Sequence, residues 1–231
     1  MTLSVLRPVK RARYLAGTPD RIKLVILVSI TLMLMCGVGQ SQVIRLAETK
    51  ASNGAAETCR PGLTGPGGTP AWKRLLVRSQ PALFETSNRK IGNRFSLCIV
   101  DAIRATDVDL TVLFMPLGGK VGRAAGLIFR VVDPNNYYAV VANALDDTVR
   151  LYRFENGAEH QLAGVDATVP AGKAQELRVR IIDELMEVFL DDKKLFEARD
   201  KTFAKSGPVG IWTKADSLTA FFELTASVLK K

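Results

Sequence analysis

The run from Gly126 to Gly157 constrains the fold more than any other part of the chain. Its stretches 127–132, 137–144 and 148–154 are dense in Val, Ile, Leu, Phe and Tyr, side chains that suit a pleated, half-buried backbone. Between them stand Asp133-Pro134-Asn135-Asn136 and Asp146-Asp147, short polar residues that bond their own backbone in turns. The spacing predicts a three-stranded antiparallel meander. Asn156-Gly157 predicts a tight hairpin after it, because the favoured two-residue turn needs positive φ at both central positions.

The same pattern recurs on either side. Short strands are expected at 72–77 and 83–86, and stronger ones at 94–101 and 108–115. In the last of these Val108, Leu110, Val112 and Phe114 alternate with Asp109, Thr111, Leu113 and Met115, the period of two that a half-buried strand requires. Leu177, Val179 and Ile181 alternate with Glu176, Arg178 and Arg180, and Met186, Val188 and Leu190 follow in the same way. Asp191-Asp192-Lys193 then turns into 194–198, a hairpin signal. Residues 208–214 and 218–229 close the chain; the last stretch tolerates helix at Ala220, Glu223, Leu224 and Ala226, but its Thr and Phe content favours strand. Many short strands at this spacing, with no repeat and no long helix after residue 41, predict an all-β fold, an antiparallel two-sheet β-sandwich of the jelly-roll kind.

The N-terminal part differs in kind. Residues 1–23 carry Arg7, Lys10, Arg11, Arg13, Arg21 and Lys23 against one acid, Asp20, and residues 24–35 carry no charge. A basic segment, a short apolar run and then small residues at 37–41 form the pattern of an export signal, removed near residues 39–41. The alternative is an uncleaved membrane anchor, although a stable span wants about 20 apolar residues. Either way the expected address is outside the cytoplasm, periplasmic or secreted, or tethered through 24–38. Residues 42–70 are rich in Ala, Ser, Gly, Thr and Pro and read as a flexible tether, which places the folded domain at 71–231. Cys59 lies in this leader and Cys98 in a predicted strand, so their pairing is left open by the sequence.

The net charge of +9 belongs largely to the N-terminus. Taking the six bases and one acid of residues 1–41 from totals of 32 and 23 leaves 26 bases against 22 acids. Mild basicity spread along strands is no nucleic-acid footprint.

Residues 126–157, together with the strand sequences at 177–181 and 188–196 and the stretch Gly207-Pro-Val-Gly-Ile-Trp-Thr-Lys-Ala-Asp-Ser217, resemble the concanavalin A-like lectin/glucanase superfamily. Within it they are similar to exported bacterial laminin-G-like domains grouped with the 3-keto-disaccharide hydrolase-like family. The resemblance implies a jelly roll over about 72–226, and a function among sugar binding, sugar hydrolysis and pure architecture, since one such fold hosts all three.

The residues themselves narrow this. The family-16 glucanase motif Glu-x-Asp-x-x-Glu is missing, since no glutamate has an aspartate two positions on. His160 is the sole histidine and is expected on an exposed polar strand, and no Gly-x-Ser-x-Gly elbow exists. Asp133, Asp146 and Asp147 offer oxygen ligands for a structural calcium, against their simpler role as turn residues; no other cofactor is implied. The meander supplies the ligand candidates. Arg130, Tyr137, Asn143, Arg150 and Tyr152 alternate so that, on neighbouring antiparallel strands, they share one open surface. Arg130 and Arg150 are expected to face solvent, because burying an unpaired guanidinium is costly. The leading expectation is therefore a non-catalytic module that binds a glycan or another cell-envelope polymer. The alternatives are a hydrolase of 3-keto-glycosides or related sugars, and a structural or protein-interaction module.

Overall fold

The computed structural model describes residues 41–46 and 59–229; the predicted export or anchor segment lies outside the described residues. Fifteen strands appear among them: β1 (Ser41–Arg45), β2 (Arg60–Thr64), β3 (Trp72–Val77), β4 (Gln80–Glu85), β5 (Phe95–Ala105), β6 (Val108–Gly118), β7 (Ala124–Asp133), β8 (Asn136–Asn143), β9 (Thr148–Glu155), β10 (Ala158–Asp166), β11 (Gln175–Ile182), β12 (Leu185–Leu190), β13 (Lys193–Arg199), β14 (Gly207–Lys214) and β15 (Leu218–Val228). There is no helix among the described residues, so none long and apolar enough to cross a membrane.

The strands form two antiparallel sheets packed as a sandwich. The first runs β13-β12-β11-β6-β15-β4-β3, with β1 added along β15, and the second runs β10-β9-β8-β7-β14-β5-β2. Alternation decides which side chains meet between them. Val108, Leu110, Val112 and Phe114 of β6 and Leu177, Val179 and Ile181 of β11 pack against Leu127, Phe129, Tyr138, Val140 and Leu151 of the second sheet. The predicted meander is β7-β8-β9, paired in order. Asn156 and Gly157 both take positive φ, 51° and 79°, as their hairpin turn demands. Asp191 and Asp192 do likewise between β12 and β13.

The tether expected at 42–70 is corrected where β1 and β2 lie. Ser41–Arg45 pairs with Ser227 to Glu223 of β15, and Arg60–Thr64 pairs with Ile99 to Phe95 of β5. Their apolar content is low, which hides them from periodicity. What holds them is partnership: β2 is an edge strand whose bonds and covalent tie come from elsewhere in the chain. Cys59 is disulfide-bonded to Cys98, and the Arg60 guanidinium donates to Asp101 at 2.8 and 3.1 Å. Gly67, at φ 110°, lies against Arg94, where a Cβ would stand 2.8 Å from the Arg94 Cδ. Arg94 is buried, forms an ion pair with the buried Glu85 at 3.5 Å and donates to Ser96 at 2.5 Å. Glu85 in turn accepts from the backbone of Ala71 and Ser87. The segment 59–71 is thus part of the fold.

The disulfide closes a sequence separation of 39 residues. Loop-closure entropy makes its removal cost about 2–4 kcal/mol. A chain beginning at Ala71 should lose this and the whole of β2, and Cys98→Ser should lose the first alone. Urea unfolding of the intact protein, of the reduced protein and of the two variants is expected to show falling midpoints, lowest for the truncated chain.

Candidate ligand-binding face

Sheet two has a second packed surface on the side away from the inter-sheet core. Phe95, Leu97 and Ile99 of β5, Ile128 of β7, Tyr137 and Val141 of β8, Phe154 of β9 and Trp212 of β14 cluster there. Trp212 stacks on Phe95 with ring centres 5.4 Å apart, and Tyr137 stacks on Phe154 at 4.6 Å. Gly126 sits beneath the indole, and a Cβ there would come within 3.2 Å of the Trp212 Cε3 and 2.8 Å of the Val140 oxygen. A hydroxyl chain runs through the cluster. Trp212 Nε1 donates to the Tyr137 oxygen at 3.3 Å, Tyr137 shares a 2.9 Å hydrogen bond with Thr64, and Thr64 donates to the Pro134 carbonyl. Burial pushes the Tyr137 phenol pKa far up, so it stays protonated.

This corrects the expectation that Tyr137 lies on an open surface: it is fully buried, a consequence of the aromatic neighbours that β9 and β14 bring. Arg130 is corrected more sharply. It is only 2% exposed, and it sits in a three-residue irregularity of β7 between Phe129 and Asp133, with φ 47°. The irregularity breaks the alternation, so that Val131 takes the outward apolar position. The Arg130 side chain instead fastens one end of the sandwich. Nε donates to the Thr106 carbonyl at 2.9 Å and the other nitrogens to the carbonyls of Phe203 and Asp183, with Asp107 3.6 Å away. A buried guanidinium is tolerated here because it is paired and hydrogen-bonded. Arg130→Ala would leave three carbonyls and a carboxylate without it, and is expected to lower stability by about 3 kcal/mol or more in denaturant titration.

Asn143, Arg150 and Tyr152 do come together. They line one depression of about 250 Å³ with Asp146, Glu159, Trp212 and Lys214. Arg150 faces Gly164 across β9 and β10, and a Cβ on Gly164 would stand 2.2 Å from the Arg150 Cδ; the glycine gives the arginine room to lie over the sheet. Its guanidinium donates to Asp166 at 2.7 Å. Asn143 donates to Asp146 at 2.6 Å and accepts from the Leu145 backbone at 3.1 Å. Tyr152 is half-buried beside Phe154; desolvation raises its phenol pKa, with Glu159 adding to the shift and Arg150 opposing it. Desolvation also raises the Glu159 carboxyl, against the pull of Lys214. The Lys214 ammonium stands 5.7 Å from the centre of the Phe95 ring. The depression therefore joins aromatic surface to donors and acceptors of both signs.

Trp212, Lys214 and Glu159 were not among the sequence candidates. Trp212 and Lys214 share a face of β14 by simple alternation, but that β14 lies between β5 and β7 takes pairings such as Gly210 with Ile128 and Trp212 with Leu97, between distant segments that no local pattern announces.

The calcium expectation fares differently. Asp133 ends β7 just before the turn into β8, and Asp146 and Asp147 lie in the turn after β8, at opposite ends of an eight-residue strand, about 25 Å apart at the usual rise. Asp133 accepts from Asn135 and Asn136, and Asp147 from the Val169 backbone at 2.9 Å. The three carboxylates do not meet, and no group of three or more His, Cys, Asp or Glu suited to a metal occurs among the described residues. His160 lies exposed on β10, as expected.

A carbohydrate-binding module of family CBM66 from Bacillus subtilis aligns with TM-score 0.59 at 20% identity, over 74% of this chain and 97% of that one. A galectin-like protein from the same species, of unknown function, aligns with TM-score 0.59 at 10% identity, over 82% and 96%. A native glycosidic hydrolase aligns with TM-score 0.53 at 11% identity, over 84% and 98%. The chain has the concanavalin A-like fold. In sequence, this concanavalin A-like sandwich is similar to the levanase of Bacillus subtilis (strain 168), 31% identical over 86 residues, which is 36% of the chain and 13% of the levanase. No family model matches it.

The depression is braced from the β14–β15 turn. The buried Asp216 carboxylate accepts from the backbones of Lys120, Val121 and Gly122 at 3.0, 2.9 and 3.1 Å. Burial alone would raise its pKa, but these N–H groups win and hold it below the usual carboxylate range. A depressed folded-state pKa contributes stability above the unfolded-state value and loses it as pH falls through the folded one. Asp216→Asn is expected to cost about 1–3 kcal/mol at neutral pH and to flatten the loss of stability in acid, as measured by thermal melts from pH 7 downward.

Proposed function

We propose that the protein is an exported, non-catalytic carbohydrate-binding module that takes a glycan of the cell envelope or its surroundings into the depression over Asn143, Arg150 and Tyr152. The observation that carries the reading is the union of the half-buried Tyr152 ring, with the buried Trp212 also in the lining, and a set of hydrogen-bonding groups, Asn143, Asp146, Arg150, Glu159 and Lys214, in one recess. Sugars present C–H faces that pack on aromatic rings and hydroxyls that need both donors and acceptors, and this lining offers each. The fold shared with a carbohydrate-binding module supports it. Export rests on the basic and apolar pattern of residues 1–41, and agrees with the Cys59–Cys98 disulfide, a bond that persists in oxidising compartments.

Arg150→Ala and Tyr152→Ala should each weaken binding at least tenfold, read by calorimetry with the glycan selected on an array. Arg150→Ala should change stability by less than about 1 kcal/mol, since its ion pair is partly exposed. Unaltered binding in both variants would remove this face from consideration.

One observation favours a second reading, a hydrolase of 3-keto-glycosides or related sugars. Asp146 and Glu159 line the same recess, and the Glu159 pKa is raised, the condition of a general acid. Turnover of a keto-sugar panel that is lost in Glu159→Gln while binding survives would establish this reading; a binder that turns nothing over leaves the module reading in place.

A further inference from the structure

The β14–β15 turn separates the glycan recess from a second hollow of about 480 Å³, on the side of the first sheet, lined in part by Leu75, Lys90, Lys120, Asp216 and Leu218. The surface around this hollow is unusual in two respects. It exposes apolar side chains: Leu75 and Leu218 are 44% exposed each, and Val121 and Leu117 also stand open. It also carries Arg78, Arg89, Lys90, Lys120 and Lys173, all exposed. None of these five forms an ion pair within the described residues.

These groups belong to one end of the molecule. Gly92 packs toward Val121, Gly118 is paired with Leu218, Gly172 donates to the Pro116 carbonyl at 2.7 Å, and Arg78 reaches the Gly172 carbonyl at 3.4 Å. The two acids that line the hollow are engaged inside the fold, Glu85 with Arg94 and Asp216 with the backbone of 120–122. The hollow is therefore rimmed by cations because the two carboxylates that line it are neutralised within the fold, while Leu75 and Leu218 point outward.

We infer that this end docks on an anionic lipid bilayer, the leucines entering the interface and the cations lying among the headgroups. Exposed apolar side chains rimmed by basic ones are what such a surface rewards, and each cation close to it raises affinity about fivefold. A soluble polyanion would use the cations but has no use for Leu75 and Leu218, so the bilayer is the better fit. Docked in this way, the recess over Asn143 and Arg150, across a single turn from the hollow, would meet glycans at the lipid surface.

The test uses the full chain with vesicles of phosphatidylcholine, with and without phosphatidylglycerol, so that any contribution of residues 24–35 is common to every arm. Phosphatidylglycerol should increase sedimentation with vesicles and slow hydrogen exchange at 88–92 and 117–122, both reversed by salt. Arg78→Gln, Lys90→Gln and Lys120→Gln together should reduce the phosphatidylglycerol-dependent affinity about a hundredfold, and Leu75→Ser with Leu218→Ser should reduce it on their own. Exchange unchanged by the anionic lipid, or slowed equally by soluble dextran sulfate with the leucine variant unaffected, would overturn the proposal. The exchange measurement on the unaltered protein decides even where a variant folds poorly. Arg150→Ala, which tests glycan binding, should leave vesicle binding unchanged, so the two readings can fail separately.

Discussion

The placement of β14 between β5 and β7 is the constraint on which the rest depends. Its inward residues, Val209 and Ile211, join the core between the sheets, while Trp212 on the other face lies over Gly126 and stacks on Phe95. A single strand thus serves two packed layers. Without the glycine the indole could not sit flat against the sheet, and without the indole Tyr137 would lose its hydrogen-bond donor and Phe154 a ring neighbour. The aromatic layer is what makes the outward face of the second sheet firm enough to carry a recess.

The two arginines singled out in the meander show how one backbone angle redirects chemistry. Arg150 keeps the alternation of β9, rests against Gly164 and lines the recess. Arg130 follows the same alternation on paper, yet its positive φ and the irregularity after Phe129 swing it to the far end of the sandwich. There it ties the β5–β6 connection, the β11–β12 turn and the segment around Phe203 through three carbonyls. One arginine lines the recess and the other holds loops together, although their sequence surroundings are alike.

Charge follows a comparable logic. Some carboxylates are consumed by structure: Glu85 by Arg94, Asp216 by three backbone donors, Asp200 by Tyr138, Thr202 and Arg153. Burial together with the Asp200 contact pushes the Tyr138 phenol up to about 12. Because Glu85 and Asp216 are neutralised within the fold while Lys90 and Lys120 remain exposed, a chain with a nearly balanced composition past residue 41 still presents a basic rim around the second hollow. Net charge counted along the sequence cannot reveal this, since it takes no account of which side chains are neutralised in the interior.

The sequence by itself determined the strands and their faces. Val108 to Phe114, Leu177 to Ile181 and Met186 to Leu190 bury the residues that alternation selects, and the Asn156-Gly157 and Asp191-Asp192 turns form as their chemistry requires, because both signals are local and act within a few residues. It also placed Asn143, Arg150 and Tyr152 on one surface, since β8 and β9 are joined by a short turn that fixes their register. Only the tertiary structure decided the rest. The edge strands at 41–45 and 60–64 exist because β15 and β5 offer them hydrogen bonds, and Cys59 meets Cys98 because β2 lies on β5. Trp212 and Lys214 reach the recess through pairing with β7 and β5, and Arg130 leaves it through a bulge. Each of these rests on contacts between distant segments, whose formation depends on how the sheets close on one another and leaves no mark in the local order of residues.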